Sequence, residues 1–193
     1  VWRDELGDRT LQAAAMENTT RKEFLSFIRG ILPLTSQDQY LSLLKACGRI
    51  GFDAAALPLF RTGFDRFREY GVSPAPLVDG LAGLPADAQL GELKRLLGLP
   101  VLDFNTLAAV NRVAAPLRAA ALAPLVHARM ARSGVDLQEL SLLVDLLGEL
   151  GNRESVAVLE PLLKHRMPGI RILTAKSLQK LTGREYPVQG FDE

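Results

Sequence analysis

The chain has 193 residues, enough for one domain with a sizeable core or for several short repeats. Its 23 basic and 22 acidic side chains leave a net charge of +1, which argues against a dedicated nucleic-acid or acidic-membrane binder. One cysteine, Cys47, excludes an internal disulfide framework and fits a reducing, cytoplasmic setting.

No run of about eighteen apolar residues is present to span a bilayer, and no signal-peptide pattern is visible. The chain opens at Val1 rather than Met, which reads as an excised fragment or a processed product. Ala and Leu supply most of an apolar content of 48 %, and alternating runs of strand formers are missing, so the chain reads as all-α. A first helix covers Trp2 to Met16. Thr20, with Glu23 three residues on, makes a capping box for a helix to Leu32, which stops before Pro33. Ser36 and Gln39 make a similar box for a helix over 37–50. Asp53 caps a helix to Tyr70, and Gly71 ends it. Ser73-Pro74 opens another, with proline at the first helical position. Asp87 caps a segment ending near Gly98, Asn105 or Thr106 begins a helix to Ala115, and Pro116 opens one that ends at Ser133-Gly134. Asp136 and Glu139 form a further box, Asn152 caps a helix to Arg166, and a last helix covers 169–182. Over 73–104, the crowding of Pro76, Gly80, Gly83, Pro85, Gly91 and Pro100 predicts short or irregular helices. The total is about eleven helices on short loops. They form a single array, with less regular helices over 1–35, repeats over 36–183 and a tail over 184–193.

An internal repeat supports the array. Leu122-Ala123-Pro124-Leu125-Val126-His127-Ala128-Arg129-Met130 recurs 37 residues later as Leu159-Glu160-Pro161-Leu162-Leu163-Lys164-His165-Arg166-Met167. Pro124 and Pro161 fall well inside the predicted helices and should kink them.

Few residues suggest chemistry. Ser42-Leu43-Leu44-Lys45 and Ser177-Leu178-Gln179-Lys180 have Ser-x-x-Lys spacing, but the companion Ser-Asp-Asn and Lys-Thr-Gly elements are missing. His127 and His165 lie near helix ends and suit the dipole there; too few further ligands accompany them for a metal. Cys47 reads as a small core residue and Thr20 as a cap rather than part of a glycosylated Asn18-Thr19-Thr20. Phe60, Phe64 and Phe67, with Phe52 and Tyr70 nearby, form a stripe at helical spacing that reads as core, with a peptide groove as the alternative. Lys164, Arg166, Lys176, Lys180 and Arg184, together with His165 and Arg171, make a basic run that could meet an acidic partner or a phosphate. No cofactor and no metal site is predicted.

The run Leu147-Gly148-Glu149-Leu150-Gly151-Asn152 ends one helix, and Met167-Pro168-Gly169-Ile170-Arg171 opens a later one. Ala175, Ser177, Leu178 and Leu181 follow at small and apolar positions. In these residues the chain resembles bacterial HEAT-repeat proteins, chiefly over 143–183. The resemblance implies a right-handed α-solenoid of antiparallel helix pairs, with Gly148, Gly151, Asn152 and Arg171 as inter-repeat positions. In that family an Asp six residues before the Arg often pairs with it; His165 stands at that place here. The apolar flank of Arg171 predicts a packed stem and a guanidinium that seeks carbonyls or a carboxylate.

A stack of this kind presents an extended surface to partners. The expected function is therefore a non-catalytic protein–protein scaffold or adaptor, the C-terminal part of a larger bacterial protein, with another protein as partner and neither membrane nor nucleic acid. The alternatives are a HEAT-like enzyme or nucleic-acid module resembling the alkylpurine DNA glycosylases or the bilin lyases, and a self-association module. A homodimer of the last kind would pair through Trp2, Leu6 and Leu11.

Overall fold

The computed structural model describes residues 57–188. Every regular element among them is helical: eight α-helices and four short 3-10 segments, with no strand. The expectations resting on Trp2, Thr20, Ser36, Ser42, Cys47, Phe52 and Asp53 lie outside the described residues. The chain divides into two compact units, Val1–Pro85 and Ala86–Glu193.

In the first unit, α1 (Leu57–Glu69) carries Phe60, Phe64 and Phe67, all fully buried. Their spacing of four and three places them on one helix face, which makes the stripe core rather than a peptide groove. Phe60 and Phe64 meet with ring centroids 6.0 Å apart and planes tilted by 47°, a favourable aromatic geometry. Gly71 takes φ +67° and stops the helix. There the Val72 N–H donates to the Phe67 carbonyl and the Gly71 N–H to that of Arg68, so the last turn keeps its acceptors occupied. The next helix, α2 (Ala75–Gly80), is short and passes into the 3-10 turn Leu81–Gly83, as the proline and glycine density predicts. It buries Leu77 and Val78, with Leu81 and Leu84 beyond it.

The second unit holds α3 (Ala86–Gly98), α4 (Phe104–Ala114), α5 (Ala123–Met130), α6 (Leu137–Leu150), α7 (Ser155–Leu159) and α8 (Pro168–Thr182). Helix α3 packs on α4 and α5, α4 on α6, α5 on α6 and α7, α7 on α8, and α6 most extensively on α8. Leu143, Val144, Leu146, Leu147 and Leu150 of α6 are buried, as are Ile170, Leu178 and Leu181 of α8. Each such leucine contributes about 1.5–3 kcal/mol. The two helices approach most closely at Gly148, where an added Cβ would lie 2.9 Å from the Cα, Cβ and Oγ of Ser177.

Several helix starts differ from the sequence expectation. Asp103 caps α4, not Asn105 or Thr106: its carboxylate accepts the Thr106 N–H at 3.0 Å and also the Thr106 hydroxyl. Helix α3 runs regularly through Gly91, with Asp87 in its first turn rather than at its cap. Pro116 opens no long helix; it sits in the 3-10 turn Ala115–Leu117, after which Arg118 takes φ 44° and turns the chain. The following helix starts at Ala123, so Pro124 falls in its first turn, where a missing N–H does no harm. Pro161 likewise opens the 3-10 segment Glu160–Lys164 that succeeds the brief α7. Neither proline kinks a long helix.

The two copies of the nine-residue repeat therefore take different forms, α-helical in the first and mostly 3-10 in the second. Leu122 and Leu159 are buried in both. In the second copy Met167 is extended at φ −87°, ψ 121°, as the residue before a proline tends to be, and the 3-10 segment ends at His165.

Candidate functional site

The C-terminal ends of α3 and α5 are tied together by two arginines. Arg129 is 1 % exposed. Its Nε donates to the Glu139 carboxylate, and its Nη1 donates to the Leu99 carbonyl at 2.7 Å and, at 3.5 Å, to that of Leu97. Arg132 is exposed, and its Nη1 donates to the carbonyls of Leu99 (2.9 Å) and Pro100 (3.2 Å). A buried guanidinium persists only when paired and hydrogen-bonded, and here a helix C-terminus and a carboxylate meet that need. Glu139 thereby fills half of its predicted box: its N–H donates to Asp136 at 2.7 Å, while its carboxylate serves Arg129.

Beside this tie lies a groove of about 570 Å³, lined by Met130, Arg132, His127, Val158, Leu162 and His165 among others. Its wall takes Val158 from the five-residue α7 and Leu162 from the 3-10 segment that follows. The two histidines that the sequence places at helix ends share this one groove. The His127 ring Nε2 lies 2.9 Å from the Ser155 hydroxyl. Burial lowers the His127 pKa below its ordinary value, against the opposing pull of the Glu154 charge. His165 Nδ1 accepts the Met167 N–H at 3.2 Å, which leaves its Nε2 as the N–H of the neutral ring. No carboxylate lines the groove.

The His127–Ser155 contact has the distance of a base and nucleophile, yet Ser155 is fully buried and gives a substrate no approach. Ser177 is 1 % exposed beneath Gly148, and Lys180 bonds to Glu149 and lies 3.6 Å from Asp145. That pairing, chiefly the hydrogen bond to Glu149, raises the Lys180 pKa. The Ser-x-x-Lys spacing thus joins one core hydroxyl and one ion-paired amine.

The basic run does not form one patch. Lys164, Arg166, Lys176 and Arg184 are exposed. Arg166 and Arg184 stand at opposite ends of α8, whose 15 residues span about 22 Å, more than two screening lengths in physiological salt. Arg171 donates from Nη1 to the carbonyls of His165 (3.0 Å) and Arg166 (3.3 Å), so it straps its own preceding loop. Asn152 accepts the Glu154 N–H at 2.9 Å, and Gly151, at φ +72°, ends α6.

The exposed large apolar residues among those described are Val101, Phe104, Leu137 and Met167. Phe104 and Leu137 are the first residues of α4 and α6, Met167 is the N-cap of α8, and Val101 lies in the loop before α4. Arg132 joins the loop before α4 to the one before α6. The groove has Gly134 and Val135 of the second loop on its wall with His165 of the third. The three loops therefore adjoin along one edge of the unit, and the exposed apolar residues stand in these loops or at the first residue after them. Sequence reasoning missed this edge and the buried Arg129. The one available signal was a recurring cap followed by a large apolar residue, Asp103-Phe104 and Asp136-Leu137.

Among the described residues, no helix is long and apolar enough to cross a membrane, and no group of three or more His, Cys, Asp or Glu residues could hold a metal ion. The chain matches no family model, no curated protein and no solved structure.

Proposed function

We propose that residues 86–188 form a HEAT-like stack of three helix pairs that docks another protein without catalysing a reaction on it. The pairs are α3 with α4, α5 with α6, and α7 with α8. Each helix touches its neighbour in sequence or the next but one, the neighbour pattern that serial stacking of hairpins requires. The observation that carries the docking reading is the exposure of Val101, Phe104, Leu137 and Met167 in or directly after three loops, two of which supply residues to the groove wall. Apolar side chains left in water at successive loops have a reason to be there if a partner covers them.

Photocrosslinking tests this in the cells that make the protein. A benzophenone amino acid at Leu137 should give a discrete adduct with a second protein, and one at Gln179 on α8 should give none. Adducts with a second copy of the chain alone would favour self-association. Equal labelling at both positions, or none at Leu137, would remove the docking reading.

A further inference from the structure

We infer that the segment docked on this edge is acidic as well as apolar: a peptide stretch of the partner in which leucine-like side chains alternate with carboxylates. The inference rests on the docking reading above and adds the chemistry of what docks. The groove wall supplies Met130, Val135, Leu140, Val158 and Leu162 for apolar side chains.

The polar groups on the wall are Arg132, His127 and His165. The guanidinium is an obligate donor. The His165 ring, whose Nδ1 accepts the Met167 N–H, presents Nε2–H as a donor. Lys164 and Arg166, both exposed, flank His165 in the chain.

The carboxylates in the surrounding loops are already engaged. Asp103 takes the Thr106 N–H and hydroxyl, Asp136 takes the Glu139 N–H, and Glu139 takes Arg129. Glu154, near His127, is the opposing charge from α7's end of the groove. The wall itself carries a guanidinium and ring N–H donors and no carboxylate, a set that complements carboxylates on a ligand. A nucleic acid fits less well, because the wall is mostly aliphatic and has no aromatic ring on which a base could stack.

The methionines report on this surface directly. The full chain has three; Met130 lines the groove, and exposed Met167 bonds through its N–H to the His165 ring on the wall. Methyl-13C methionine labelling of the full chain gives a three-signal NMR spectrum, assigned with single Met→Leu variants. The probe is the synthetic peptide acetyl-Glu-Leu-Asp-Leu-Leu-Glu-amide, compared with its Gln/Asn analogue.

The acidic peptide should shift the Met130 and Met167 signals saturably, and the neutral analogue should bind at least about tenfold more weakly. Arg132→Glu should weaken the acidic peptide by a similar factor. The exposed pair Lys164→Glu and Arg166→Glu gives an independent variant with the same expectation, should loss of the Arg132 carbonyl contacts unsettle the loop. Equal binding of the two peptides would overturn the acidic chemistry and leave the docking reading standing. A single-stranded oligonucleotide that shifts both signals where the peptide does not would overturn it in favour of a phosphate backbone. If neither peptide shifts either signal at millimolar concentration, this inference fails, and the crosslinking outcome alone decides the docking reading.

Discussion

Arg129 shows how one side chain can join elements distant in sequence. Its guanidinium closes the carbonyl end of α3 and the carboxylate of α6 from a position on α5. Removing one partner of a buried pair leaves the other uncompensated. Arg129→Met should cost about 3–5 kcal/mol, and pairing it with Glu139→Leu should recover much of that loss. Urea unfolding of the three proteins measures both values.

His127 makes a statement about pH. Its folded pKa is lowered, mainly by burial, so the unfolded chain takes up a proton first as pH falls. Stability is complete above the unfolded value near 6.5 and declines as pH drops from there through the lower folded value. Melting temperatures at about pH 7.5 and 5.5 should therefore fall further apart for the wild type than for His127→Gln. An equal pH response in both would show that the buried imidazole is not the titrating group.

Arg118 is the one described non-glycine residue at positive φ. It is exposed, so its side chain has little packing to lose. Glycine relieves an αL strain of about 1 kcal/mol or more but adds freedom to the unfolded chain. Arg118→Gly should therefore raise stability by roughly 1 kcal/mol or less, read from the denaturation midpoint.

At the scale of elements, α6 against α8 is the contact on which the second unit most depends. Gly148 permits it, and an alanine Cβ there would strike the Ser177 backbone as well as its side chain. Gly148→Ala should destabilise by about 1–3 kcal/mol. Ser177→Gly should restore only part of this, since the Ser177 Cα remains.

What could be read from the sequence divides along the same line. Helices marked by local chemistry emerged as expected: Gly71 and Gly183 end α1 and α8 at positive φ, and Asp136 caps α6. Helix starts governed by proline were misread, because Pro116, Pro124 and Pro161 have the same local signature inside a helix and at its first turn. The groove was illegible for a different reason. It depends on α7 ending at Leu159 and on segments distant in sequence meeting at one wall. The burial of Arg129 depends on carbonyls about thirty residues away. His127 and His165 were visible as residues, but their meeting in one cavity was not.

At the scale of the molecule, the second unit sets core against edge. Leucines of α6 and α8 are sealed away, while Phe104, Leu137 and Met167 meet solvent at the starts of α4, α6 and α8. Full burial within the chain would make them part of the fold; exposure at adjoining loops makes them available to a partner. The two roles predict opposite consequences of removing them. The most direct measurement is therefore paired: melting temperature and photocrosslinking yield for the triple variant Phe104→Ser, Leu137→Ser, Met167→Ser, the yield taken with the crosslinker at Val101. The account predicts a melting temperature lowered only modestly, since the three side chains are half-buried, and loss of the adduct. A melting temperature lowered by many degrees, or an adduct that persists at full yield, would contradict it.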